Sequence, residues 1–195
     1  MISKLSWKAA CKFIIYANKN YNDLEIYHYG FFIIFSSVIF FSLTLLLGII
    51  FNIILSSIVF YIAFFIIRQY AGGYHAASEI RCNIITCCLI LISIVLIKLS
   101  TIYNFNNILL LSVFLSFICI FLYSPLDTCE KPLSKEEKEY YAKVSRSILI
   151  VMMCVIGITY ISRHNNIFSS LCMSLNLESI LLIMGKIKSL KTNYV

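Results

Sequence analysis

Residues 31–67 read FFIIFSSVIFFSLTLLLGIIFNIILSSIVFYIAFFII, 37 positions without one charged side chain. A single helix of that length would reach about 55 Å at about 1.5 Å per residue, nearly double a hydrocarbon core of about 30 Å. The run must therefore fold back on itself. Asn52 lies near its middle with Gly48 before it, and a turn there gives two membrane spans, at about residues 31–49 and 53–67.

The whole chain agrees with this reading. Its 195 residues are 61% hydrophobic and only 13% charged, and the mean hydropathy is +0.90, which excludes an ordinary soluble domain. With two prolines and six glycines, little of the chain is loop. The net charge of +7 raises the question of nucleic acid, but the basic residues sit between apolar runs and form no continuous patch. Anionic lipid headgroups are the expected partner, and nucleic acid is not.

Further spans follow on either side. Residues 1–20 carry Ile2, Leu5, Ala9, Phe13 and Tyr16 at spacings of three and four beside a stripe of Lys4, Lys8 and Lys12. This suits an amphipathic helix lying in the headgroup layer, and lysines scattered through the segment argue against a cleaved signal peptide. His28 is assigned no chemistry. After Cys82 a third span runs to Leu99, a polar break covers Ser100 to Asn107, and a fourth span from Ile108 to Tyr123 stops at Pro125. The hydrophilic segment 124–146 contains Ser134 and Glu137 at capping-box spacing, so a helix starts there and feeds a fifth span, about 147–161. Segment 167–184 is the weakest span because Ser169, Ser170, Ser174, Asn176 and Glu178 interrupt it. Glu178 is either a functional intramembrane carboxylate or the mark of a shallow helix at an interface.

The expected fold is all-α: a single domain over residues 1–195 with about six membrane-embedded helices, some short or re-entrant, and an N-terminal interfacial helix. Placing the N-terminus inside puts fourteen basic residues on cytoplasmic segments and leaves only Lys98 and Arg163 outside. That asymmetry favours cytoplasmic termini on both ends.

Chemistry concentrates in residues 68–82, RQYAGGYHAASEIRC, the junction between the second and third spans. His75 and Cys82, seven positions apart, make a candidate base and nucleophile, since the thiolate is the reactive form of cysteine and needs a proton acceptor. On one straight helix the two would be separated by roughly 10.5 Å along the axis, too far for proton transfer at about 3 Å. A chain break between them is therefore expected, with Ser78 capping the helix that carries Cys82. Gly72 and Gly73 give the preceding loop its freedom. Arg68 either binds a peptide carboxylate or oxyanion, or marks the inner end of the second span. The alternative is that His75 and Cys82 are ordinary interfacial residues.

The other cysteines argue for neither disulfides nor metal. Cys87, Cys88, Cys119, Cys154 and Cys172 fall within spans, where free cysteine behaves as a small hydrophobe, and no metal-ligand spacing or HExxH occurs. No metal or other cofactor is expected.

The string from Arg68 through Gly72, Gly73, Tyr74, His75 and Ala76 to Cys82 resembles the signature of the accessory gene regulator B (AgrB) family, bacterial membrane cysteine endopeptidases that process quorum-sensing propeptides. The resemblance extends over the length, the hydrophobic layout and the segment Ser124 to Arg146. It implies His75 as general base and Cys82 as nucleophile, and puts Arg68 and Gly73 at positions the family needs for activity. It also implies an AgrD-like propeptide as substrate and a homodimer in the bacterial cell membrane, with cyclisation of the product to a thiolactone or lactone. The residues themselves leave cyclisation and plain hydrolysis both open, and no third catalytic residue is evident beyond the candidates Gln69, Glu79 and Asn83. The rival reading is a small non-enzymatic membrane protein, a transport or sensor subunit, in which His75 and Cys82 would be replaceable.

Overall fold

A computed structural model describes residues 2–74, 79–127 and 133–192. Among them are seven α-helices, one short 3-10 turn and no strand: α1 (Ile2–Ala17), α2 (Leu24–Ile50), α3 (Ile54–Ala71), α4 (Glu79–Tyr103), α5 (Asn106–Tyr123), α6 (Lys135–Ile161) and α7 (Asn165–Thr192). Six of these, α2 to α7, are long and apolar enough to cross a membrane. Even the 18-residue helices α3 and α5 reach about 27 Å at about 1.5 Å per residue, close to the hydrocarbon thickness. The all-α, six-span architecture expected from the sequence is the one observed. The chain divides into two compact units, residues 1–43 and 44–195.

In the first unit the edge of the Trp7 ring meets His28 at 5.2 Å between centroids, and His28 Nε2 lies 3.3 Å from the Ser3 carbonyl oxygen. Phe13 packs on Tyr27 and Phe31. His28 thus has structural partners. Leu5, Phe13 and Tyr16 of the apolar stripe remain exposed, as a lipid-facing stripe requires, while the buried residues of α1 are Ser6, Ala10 and Ile14.

The second unit begins with the fold-back. Asn52 takes a positive φ of 55°, a left-handed conformation that asparagine tolerates well. Gly48 then lets the two helices close tightly, since a Cβ there would lie 2.5 Å from Ser57 Oγ. Asn104 at φ 51° makes the next turn between helices. This break is shorter than the one expected over 100–107: α4 runs to Tyr103 because Ser100 and Thr101 return their hydroxyls to the carbonyls of Ile97 and Lys98, at 2.7 Å each. The start of α6 carries the expected capping box. Ser134 N–H donates to Glu137 Oε2 at 2.9 Å, and Glu137 N–H donates to Ser134 Oγ at 3.2 Å.

Helix α7 is the centre of this unit, packing against α3, α4, α5 and α6. The segment that looked weakest as a span is the most enclosed helix of the bundle. Asn176 and Ser179 have partners on α5, while Ser170 and Ser174 return their hydroxyls to the Asn166 and Leu171 carbonyls of α7 itself. Ser116 Oγ of α5 donates to Asn176 Oδ1 at 2.7 Å, Asn176 Nδ2 donates to Ser112 Oγ at 2.9 Å, and Ser116 and Ser179 hydroxyls lie 2.9 Å apart. Inside a bilayer, where lipid tails offer no hydrogen bonds, such contacts and small side chains are what hold helices together. Glu178 is 0% exposed, enclosed by its neighbours rather than facing solvent or headgroups.

Candidate functional site

Arg68 stands in the last turn of α3, and its guanidinium turns back onto the chain that follows. Nη1 donates to the Gly72 carbonyl at 2.6 Å and Nη2 donates to the Tyr74 carbonyl at 3.1 Å. The same Nη1 lies 3.7 Å from Glu178 Oε1 across the bundle. One planar cation therefore grips two carbonyls of the segment 72–74 and faces a carboxylate of α7, a fork geometry that a lysine could not reproduce.

The glycines make this possible. Gly72 and Gly73 have φ of 78° and 142°, conformations L side chains rarely adopt. Space forbids a side chain as well: a Cβ at Gly73 would overlap the Arg68 guanidinium, and one at Gly72 would sit 3.0 Å from the Leu126 carbonyl oxygen. Two backbone hydrogen bonds then dock the segment. Tyr74 N–H donates to the Leu181 carbonyl of α7 at 3.0 Å, and Leu126 N–H donates to the Ala71 carbonyl at 2.9 Å. Gly185, one turn further along α7, provides the flat surface beneath, because a Cβ there would overlap Leu126 Cδ2 and stand 3.0 Å from Tyr74 N. Residues 178, 181 and 185 are spaced by three and four, so they form one face of α7.

His75 and Ser78, with the expected break between His75 and Cys82, lie outside the described residues, as do Cys129 and Lys131 of the 124–146 segment. Cys82 is placed near the start of α4, is partly exposed, and its carbonyl accepts from Thr86 Oγ1 at 2.9 Å. Of the five expected site residues, Arg68, Gly72 and Gly73 are brought together directly. Arg68 stands at the end of the second span, as one of its two expected readings has it, and it also donates to the carbonyls of its own chain, a contact not expected. Glu178, Leu181, Gly185 and Leu126 also meet this loop, contacts that sequence reasoning missed; the spacing of 178, 181 and 185 on one helix face is the one signal that could have grouped the first three.

Beyond Leu126 opens a cavity of about 530 Å³, lined by the 123–127 turn together with Lys135, Lys138 and Arg146 of α6 and Lys186 of α7, with Asp127 and Glu139 as counter-charges. Arg146 also lies over the Phe121 ring at 4.8 Å. The cavity is basic on balance and adjoins the residue that touches both Gly72 and Gly185.

The profile of the family described as "Accessory gene regulator B" matches residues 9–182, nearly the whole chain and all of the 68–82 segment. This chain belongs to the AgrB family. It is 29% identical over 189 residues to a "Putative AgrB-like protein" of Clostridium perfringens (strain SM101 / Type A), covering 93% of this chain and 87% of that relative. It is also 29% identical over 175 residues to "Putative AgrB-like protein 2" of Clostridium perfringens (strain 13 / Type A), covering 85% of this chain and 80% of that relative. No solved structure matches it significantly. Membership of the AgrB family, together with the six apolar helices, makes this a multi-pass membrane protein with a role in quorum-sensing peptide processing. A propeptide of the AgrD kind is the general partner that membership implies.

Proposed function

We propose that the protein is a membrane cysteine endopeptidase that cuts a small membrane-associated propeptide, with Cys82 as nucleophile and His75 as general base. The observation that carries the proposal is that the AgrB match runs through the whole Arg68–Cys82 stretch, in which the segment leading into His75 is clamped by Arg68 and Cys82 remains partly exposed on α4.

The chemistry follows from those two groups. His75 takes the Cys82 proton as Sγ adds to the scissile carbonyl carbon, and the same proton passes to the amine as the C–N bond breaks. This leaves the N-terminal part of the propeptide as a thioester on Cys82 and releases the C-terminal part. A cysteine thiol or serine hydroxyl within the peptide then attacks the thioester carbonyl, the Cys82 Sγ–C bond breaks, and the proton returns to Cys82. The product is a thiolactone or lactone ring, and exclusion of water from the bundle favours it over hydrolysis. Arg68, Gly72 and Gly73 support the site by shaping the loop. The cavity lined by Lys135, Lys138, Arg146 and Lys186 suits an acidic stretch of the propeptide, and Coulomb attraction is strengthened where membrane lowers the dielectric.

The distribution of basic residues supports a cytoplasmic site and cytoplasmic termini, where thiols stay reduced and a newly made peptide arrives. Anionic headgroups would hold α1 through Lys4, Lys8 and Lys12. A homodimer is part of the proposal, because so little chain lies outside the spans to build a substrate cleft.

The test is to mix membranes containing the protein with the propeptide encoded in the neighbouring reading frame and to weigh the products by mass spectrometry. Wild type should release the C-terminal fragment and yield a product one water lighter than its linear form, while Cys82→Ala and His75→Ala should release nothing. Cleavage by Cys82→Ala would overturn the assignment.

A further inference from the structure

Glu178 is a carboxylate with 0% exposure in the most enclosed helix of a membrane protein, and neither of its oxygens accepts a hydrogen bond from any described residue. Its one ionic partner among the described residues is Arg68, at 3.7 Å. A buried carboxylate in a bilayer is costly and is normally retained for a task. Burying it beside a cation with no other consequence would be a poor solution, because a buried ion pair is frequently no more stable than apolar residues of the same volume.

We infer that Glu178 is a positioning residue: it anchors the Arg68 guanidinium, so that Nη1 and Nη2 hold the Gly72 and Tyr74 carbonyls, and thereby fixes the chain that leads into His75. The inference rests on the proposed role of His75 and extends it to a residue more than a hundred positions away. Three features of α7 point the same way. Glu178 faces Arg68, the Leu181 carbonyl takes the Tyr74 N–H at 3.0 Å, and Gly185 leaves room for the Gly73 and Tyr74 backbone. These lie at successive spacings of three and four on one helix face, so α7 acts as a template for the loop. Arg68 holds the loop from one side and α7 from the other. Without the Glu178 charge, nothing described on α7 directs the guanidinium, which is 22% exposed, toward the loop rather than toward headgroups or water.

Two readouts on full-length protein in lipid nanodiscs test this. The first needs no substrate: hydrogen exchange of the Tyr74 amide, followed on peptides spanning residues 72–74. Glu178→Gln should speed that exchange at least about tenfold while peptides from α5 and α6 exchange as in wild type. Glu178→Asp, which keeps the charge, should fall closer to wild type. The second readout is kinetic, with the propeptide that wild type cleaves in the experiment above. Glu178→Gln should lower kcat about tenfold or more and leave KM within about twofold, since the propeptide does not touch Glu178; Glu178→Asp should recover part of kcat. If Glu178→Gln fails to accumulate, the comparison passes to Arg68→Gln against Arg68→Gln/Glu178→Gln. Because Glu178 acts through Arg68, the double variant should do no worse than the single one in either readout. Unchanged Tyr74 exchange in Glu178→Gln, or a further multiplicative loss in the double variant, would overturn the inference. Should wild type cleave no propeptide, the peptidase reading fails while the exchange result still decides whether Glu178 fixes the loop.

Discussion

Replacing Gly185 by alanine separates loop docking from bundle stability. In an ordinary helix interior this substitution is favourable by about 1 kcal/mol, because alanine restricts the unfolded chain and glycine does not. Here the added Cβ would overlap Leu126 Cδ2 and come within 3.0 Å of Tyr74 N and 3.1 Å of Gly73 C. The Leu126 side chain can rotate away, but the two backbone atoms must move with the loop. Overpacking of this kind costs about 1–3 kcal/mol, and displacing Tyr74 forfeits its hydrogen bond to Leu181, worth about 0.5–1.5 kcal/mol. A loss of about 2 kcal/mol in loop docking corresponds to roughly a 30-fold fall in the ratio of docked to undocked loop, at about 1.4 kcal/mol per factor of ten. Initial rates of propeptide cleavage in membranes should fall, by up to that order, while the melting temperature in detergent changes little because the gain of about 1 kcal/mol in the helix offsets part of the loss in the loop. Gly157→Ala is the control: nothing lies within 4 Å of a Cβ there, and it should cleave normally. Wild-type cleavage by Gly185→Ala would refute the claim that α7 is the surface on which the loop is set.

Three further outcomes are expected. Asn176→Leu removes hydrogen bonds to both Ser112 and Ser116 of α5, which in a bilayer cost about 0.6 kcal/mol each on average; it should lower the melting temperature in detergent and speed amide exchange along α5. Ser134→Ala destroys the capping box of α6 at a cost of about 1 kcal/mol, read as faster exchange of the first-turn amides of that helix and little change elsewhere. Cys88→Ala and Cys154→Ala, both exposed on spanning helices, should leave propeptide cleavage unchanged, which separates Cys82 from thiols that merely face lipid.

The parts of this fold that were legible in sequence are those decided locally. Length alone required residues 31–67 to fold back, and Asn52 with Gly48 provides the residue types a tight turn between helices needs. Ser134 and Glu137 announced the start of α6 because a capping box is closed within four residues. Helix α7 was misjudged for the opposite reason. Its serines, Asn176 and Glu178 depress hydropathy, the property by which a span is recognised, and only the tertiary structure shows Asn176 and Ser179 bonded to α5 and Glu178 facing Arg68. The break after α4 was read as too long because Ser100 and Thr101 look like loop residues until their hydroxyls are seen bonded within the helix. At the site, Arg68, Gly72 and Gly73 were visible as an unusual local cluster. That the arginine turns onto the two carbonyls and toward α7 depends on a contact 110 residues distant, which no local pattern encodes.

The central claim is that Cys82 carries the propeptide as a thioester, and it can be tested by catching that species. A propeptide whose internal cysteine or serine is replaced by alanine cannot close the ring, so the acyl-enzyme should accumulate. Incubated with wild-type membranes, it should raise the protein mass by that of its N-terminal portion, on a proteolytic fragment containing Cys82, and hydroxylamine should remove the addition, as it does for thioesters. His75→Ala should form little of this adduct and Cys82→Ala none. An adduct that survives in Cys82→Ala, or cleavage by wild type with no adduct on Cys82, would contradict the account.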